Sequence, residues 1–126
     1  MNAARDLAAL IAGLSVREDP RSWRFSASDA PPDLTSALMA FREREGWTAI
    51  SEAPPASPSG EVWTWLEIET VSDLHAVGFT AAFSAALAAQ AIPCNVVAGL
   101  NHDHLFVPKA QTKAALAALA ALKRGD

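Results

Sequence analysis

The stretch "VWTWLEIET", residues 62–70, alternates without a break: Val62, Thr64, Leu66 and Ile68 fall on one side of an extended chain, and Trp63, Trp65, Glu67 and Glu69 on the other. Successive side chains of a strand point to opposite faces, so this is a strand with one aliphatic face and a second face that begins aromatic and ends acidic. Two tryptophans on one face are costly to leave in water. The second face is therefore predicted to be covered near its start, by the N-terminal half of the chain or by another subunit, while Glu67 and Glu69 stay wet.

The residues C-terminal to that strand fix its neighbourhood. "VSDLHAVG" (71–78) is a polar turn, and in "FTAAFSAALAAQ" the residues Phe79, Phe83 and Leu87 form an apolar stripe at helical spacing. "IPCNVVA" and "HDHLFVP" are β-rich and separated by a turn containing Gly99, which predicts a hairpin. Pro108 then opens an alanine-rich helix carrying Leu116 and Leu119, with Lys123 and Arg124 at its C-terminal end, where the helix dipole favours cations. The order from residue 61 onward, strand, helix, strand, strand, helix, is most of a ferredoxin-like βαββαβ unit without its last strand, an α+β class. The N-terminal half supplies strands that could complete the layer.

In that half, Leu7, Leu10, Ile11 and Leu14 predict a short helix, with Asn2 as a candidate N-cap and Gly13 near its end. "SWRFSAS" (22–28) alternates as a strand and stops at "DAPPD" (29–33), whose prolines remove donors and restrain the residues before them. The next segment is ambiguous by pattern. Leu34, Leu38 and Phe41 fit a helix capped by Gly46, and "WTAIS" (47–51) reads as a strand. "PPASPSG" (54–60) has the composition of an exposed connector. The division is thus 1–53, a linker 54–60, and 61–126.

At 126 residues the chain is long enough for one compact domain and too short for two ordinary independent ones. Its formal net charge of −4 and scattered Lys and Arg lack the electrostatic footprint of a nucleic-acid binder. A single cysteine, Cys94, excludes an intramolecular disulfide, and no apolar run approaches the ~20 residues that span a bilayer. No signal-peptide pattern opens the chain, so the expectation is a cytoplasmic protein that does not contact membrane.

The strings "VSDLHAVGF", "CNVVA" and "HDHLFVP", in this order and around the predicted helix, resemble the ACT domain, in particular the small stand-alone bacterial ACT proteins. "WRFSA" and "FREREGWTAI" resemble the companion region of the same proteins, and the strand bearing "DHLFVP" is similar to one in the tandem-ACT cytosolic arginine sensors. The resemblance implies an ACT-type sandwich in 61–126, an antiparallel sheet with helices on one face. It further implies a second ACT-like subdomain in the N-terminal half, and a strand or turn rather than a long helix over "AFREREGWTAI". By the same resemblance the chain is a non-catalytic regulatory module that binds an amino acid or similar small ligand at an interface, works as a homodimer and acts on a separate, unidentified protein target.

An amino acid needs backbone donors for its carboxylate and an acid for its ammonium. The start of the helix after "HAVG" offers free N–H groups and the positive dipole end, and Gly78 allows close approach. Asp103, on the neighbouring strand, can take the ammonium or a cationic side chain, the role that the resemblance to the arginine sensors gives it. The candidate ligand-binding residues are Asp73, Ala76, Val77, Gly78, Phe79, Asn95, His102 and Asp103. Asp73 reads equally as a loop cap, Asn95 as a strand-edge partner and Gly78 as a turn residue.

Other chemistries fare worse. His102 and His104 share a strand face and could pinch a metal, but a stable site needs three or four ligands, and no metal or cofactor is expected. Adjacent Asp and His on a strand cannot serve one proton, Cys94 sits among apolar residues, and Ser72 and Ser84 have no motif around them, so no enzyme is expected. The rival is a ligand-free interaction module of the same fold that docks a partner through Trp63 and Trp65 or an open sheet edge.

Overall fold

The computed structural model describes residues 5–126, without the side chain of Ser59. Asp6 opens helix α1 (Leu7–Ala12) by accepting a hydrogen bond from the Ala9 N–H, 3.0 Å, which satisfies one of the orphan donors of the first turn. The proposed cap Asn2 lies outside the described residues. Leu10 and Leu14 turn inward, and the chain continues into β1 (Val16–Glu18) and β2 (Trp23–Ser28).

β3 (Ala37–Glu43) and β4 (Gly46–Glu52) form a hairpin, so the segment that also fits a helix by spacing is a strand. Cross-strand pairing decided this: β4 is held between β3 and β2, and Phe41, on the outer strand, stays 64% exposed instead of joining a buried helical stripe. Gly46, read as a helix cap, opens β4 at φ 144°, where a Cβ would come within 2.7 Å of the Ser28 carbonyl oxygen.

β5 (Trp63–Ile68) is followed by α2 (Phe79–Ala88), β6 (Asn95–Ala98), β7 (Asp103–Pro108) and α3 (Thr112–Arg124), the predicted order. All strands pair antiparallel in one seven-stranded sheet of order β3-β4-β2-β5-β7-β6. β1 and the first residue of β2 share the remaining edge of β5: Val16 lies opposite Ile68 and Trp23 opposite Trp63. The place of the missing last strand is thus taken by the N-terminal segment, as expected. Residues 7–52 do not repeat a βαββαβ order, however. They contribute one six-residue helix followed by four strands, and β1 and β2 bond directly to β5, so both halves share a sheet where a second ACT-like subdomain was expected.

The alternation of β5 sorts the core. Thr64, Leu66 and Ile68, with Leu105 and Val107 of β7, face the helices and meet Phe79, Phe83 and Leu87 of α2, Ala115 and Leu119 of α3, and Leu10 of α1. Each such large apolar side chain contributes about 1.5–3 kcal/mol by leaving water. Thr64, the polar member of this face, bonds the Thr112 hydroxyl at 2.7 Å; Thr112 donates its own proton to the Lys109 carbonyl, which makes Thr64 the donor.

The opposite face carries a separate cluster of Trp23, Ile50 and Phe106, packed by Trp63, Trp65, Leu38, Met39 and Val97. Trp65 meets Trp23 edge-on at 5.7 Å and Trp63 meets Phe25 at 5.7 Å, so the N-terminal half covers the tryptophans, one of the two covers predicted. Because Leu38 and Met39 come from β3 and Val97 from β6, the sheet curls until its two edge strands share one cluster.

Candidate functional site

Two loops meet above the helix-covered end of β7. In the first, residues 71–78, Asp73 caps the backbone by accepting from the His75 N–H at 2.7 Å and also pairs with Arg5 at 3.1 Å. These contacts hold its carboxyl below the usual range, the His75 N–H first. In the second, the β6–β7 turn, the Gly99 N–H donates to the His102 carbonyl at 2.8 Å, and a Cβ on Gly99 would come within 2.8 Å of that same oxygen. The Ser72 N–H to the Asn101 carbonyl, 3.0 Å, ties the two loops together.

Between them lies a cleft of about 100 Å³, walled by Ser72, Asp73, Ala76, Phe79, Thr80 and Asp103, with Ala98 and Gly99 at the turn. Gly78 sets the entry to α2 at φ 91°, and the first intrahelical bond runs from Ala82 N–H to Gly78 carbonyl, 2.8 Å. The N–H groups of Phe79, Thr80 and Ala81 therefore have no acceptor within the helix. Asp103, the first residue of β7, is only 8% exposed, and among the described residues its carboxylate has neither a hydrogen bond nor an ion pair. Burial pushes its carboxyl above the ordinary range, opposed by the nearby His104 and His102.

Of the residues singled out from sequence, Asp73, Ala76, Phe79 and Asp103 converge on this cleft. Val77 is 82% exposed beside it, and Gly78 acts through the backbone, where a Cβ would come within 3.2 Å of the Leu7 side chain. His102 supplies its carbonyl to the turn but does not line the cleft. Asn95 pairs with Phe106 at the far end of the hairpin, on the other face, and has no part in it. Of the other lining residues, neither Thr80 nor Gly99 is among the ligand contacts expected from sequence. Thr80, one residue into a predicted helix start, was the more findable, because a polar residue there can meet whatever the free N–H groups bind.

His104 points the opposite way from Asp103, as strand alternation requires, and its Nδ1 accepts from the Trp65 indole N–H at 3.1 Å. Burial holds its imidazole below the ordinary pKa. Among the described residues no three His, Cys, Asp or Glu side chains gather into a metal site. Desolvation raises the Cys94 thiol to about 11, which leaves it a thiol rather than a nucleophile at neutral pH. No helix among the described residues is long and apolar enough to cross a membrane.

With this fold and cleft in place, comparison with known proteins is decisive for family. The sequence pattern that defines the ACT domain matches residues 59–121. The chain belongs to the ACT domain family. Its ACT region starts in the turn before β5 and runs into α3, so the cleft lies wholly inside it. Among solved structures, the chain is similar to VC0802 from Vibrio cholerae, described as a protein of unknown function and possible transport protein, with 31% identity, TM-score 0.75, and coverage of 89% of this chain and 92% of that one. It also shares its fold with Atu0741 from Agrobacterium tumefaciens, at 15% identity and TM-score 0.70 over 87% of this chain and 89% of that one. No curated protein matches the chain. ACT domains commonly serve as small-ligand regulatory modules.

Proposed function

We propose that this ACT protein is a non-catalytic regulatory module that binds the head group of a free amino acid in the Asp103 cleft. The observation that carries the reading is Asp103 itself, a residue only 8% exposed whose carboxylate has no cation among the described residues and faces the same cleft as the start of α2. A largely desolvated carboxylate without a cation is costly, and a ligand ammonium would offset that cost. The ligand carboxylate then meets the free N–H groups at Phe79 and Thr80 and the positive end of the helix dipole.

At about 100 Å³ the cleft takes the zwitterionic head and little more, so the ligand side chain must leave it. The rim it would cross is apolar. Leu74, Val77 and Leu100 are 67%, 82% and 71% exposed, a concentration of large hydrophobic surface on the two loops that form the cleft. This favours a homodimer in which a second ACT protein covers the side chain, and a ferredoxin-like ACT unit over 61–126 to which the 1–53 region lends its outer strands. A preference for cationic amino acids belongs to the same proposal, on the sequence resemblance of "DHLFVP" alone.

Calorimetric titration and thermal shift against the standard amino acids test the reading. Ligand at a hundred times its Kd stabilises the protein by about 2.7 kcal/mol. The same amino acid with its amine acetylated should not bind, and neither should the natural ligand to Asp103→Asn. Binding that survives both changes excludes the proposed site. Sedimentation with and without ligand reads the dimer, which Leu100→Asp should weaken together with affinity.

A further inference from the structure

On the other side of β7 the curl of the sheet leaves a second, half-open cavity, about 380 Å³, between the edge strands β3 and β6. Its volume falls within the range of about 300–1,000 Å³ typical of small-molecule pockets, whereas the Asp103 cleft falls below it. Its walls are Leu38 and Met39 from β3, Val97 from β6, and Phe106 and Trp65 from the sheet floor. Two polar side chains, Glu67 and His104, enter it and stand opposite each other in the β5–β7 register.

Their chemistry is unequal. The His104 Nδ1 lone pair already accepts from the Trp65 indole, so a neutral imidazole carries its proton on Nε2, toward Gly99 at the rim. A neutral His104 does not cancel the carboxylate of Glu67. Arg17 lies in register with Glu67 on β1 but makes no ion pair with it among the described residues, and it does not line the cavity. The cavity thus presents one anionic group at the edge of an aromatic and aliphatic chamber, beside the Trp65 indole, while Arg17 and Arg21 border Glu67 and Trp65 only from an adjoining hollow.

We propose that this cavity is a second ligand site, separate from the Asp103 cleft, for a small amine with an apolar or aromatic body. The body fills the space between Leu38, Met39 and Phe106, and the ammonium meets Glu67 with Trp65 alongside as a cation–π partner. Carboxylates are repelled by Glu67, and neutral isosteres lose the charge-assisted bond. The two sites share the β6–β7 hairpin: Gly99 borders both, and neighbouring residues Asp103 and His104 each serve one.

A matched series tests the proposal: phenethylamine, phenethyl alcohol and 3-phenylpropionate, titrated by calorimetry while the indole N–H resonance of Trp65 is followed by NMR. The amine is expected to bind saturably and to move the Trp65 resonance, the alcohol to bind about tenfold more weakly, and the acid not at all. Glu67→Gln should level amine and alcohol, and Met39→Trp, which fills the chamber from an edge strand, should block both. Asp103→Asn should leave phenethylamine binding intact, which keeps the outcome independent of the amino-acid reading. Absence of saturable amine binding, equal binding of amine and acid, or loss of amine binding in Asp103→Asn but not in Glu67→Gln would each overturn it.

Discussion

On the helix-covered side of β5 and β7, Thr64, Leu66, Ile68, Leu105 and Val107 are each no more than 1% exposed, whereas on the opposite side Trp63, Trp65, Glu67 and His104 are only half-buried and Phe106 alone is closed. The first face is shut by three helices that drive aliphatic side chains into one cluster. The second is shut by the sheet bending onto itself, and bending leaves a gap between its edges. A face closed by packing is stable and chemically silent except at its end, where Asp103 emerges into the cleft. The face closed by curvature keeps room and polar groups, at a cost in buried area.

The same substitution on the two faces gives the largest contrast. Val107→Ala on the helix side should cost about 2–3 kcal/mol in chemical denaturation, the lost transfer energy plus a cavity that dense packing cannot collapse. Val97→Ala on the open side should cost under about 1 kcal/mol. Equal losses would mean that the chamber is as tightly filled as the helical core. Gly99→Ala acts on both sides at once, because the new Cβ meets the His102 carbonyl; it should destabilise by more than about 1 kcal/mol and weaken ligand binding at either site.

Trp65→Phe removes the indole donor to His104 at a cost of about 1 kcal/mol. His104 should then titrate closer to an ordinary histidine, followed by its ring-proton shifts against pH. In the native protein burial depresses this group, so the folded state binds fewer protons than the unfolded one, and stability falls as pH drops below the unfolded value of about 6.5 toward the folded pKa. His104→Asn, which keeps an acceptor for Trp65, should flatten that acid limb.

Asp103 has the opposite sign. Its carboxyl is raised by burial, so the stability linked to it is full below the unfolded pKa and is lost as pH climbs through the folded one. Asp103→Asn should therefore raise the melting temperature of the ligand-free protein at neutral pH while removing the ligand-induced shift. A variant that loses both stability and binding would mark Asp103 as structural. The smallest effect belongs to neither face: Ala91, at φ 56° just beyond α2, should gain up to about 0.5 kcal/mol as Ala91→Gly, relief of the left-handed backbone being offset by the greater freedom of the unfolded chain.

Much of this was legible where a residue's partners are set by its own strand or helix. The alternation of Trp63 to Ile68 sorted two faces correctly, the Phe79, Phe83 and Leu87 stripe became the inner face of α2, and Asp103 and His104 had to point apart. Four of the eight proposed ligand residues meet because loop 71–78 and the start of β7 are joined to the same sheet end. The segment around Leu38 could not be assigned by spacing, since its apolar residues fit two periods and only pairing with β4 chose the strand. Asn95 was misplaced because distance along a hairpin strand depends on register, which Ala98 and Asp103 fix at the other end.

The sequence by itself determined the local alphabet: which faces are apolar, where helix α2 starts, and that a carboxylate comes directly after the β6–β7 turn. Only the tertiary structure decided that β1 and β2 join the free edge of β5, that Asp103 is buried without a cation among the described residues, and that the sheet curls until Met39 and Val97 share a cavity with Glu67. The reason is that periodicity records each side chain's direction relative to its own backbone. Burial and enclosure depend on which distant strand arrives, and the accumulated twist and bend of seven strands is a property of the assembled sheet.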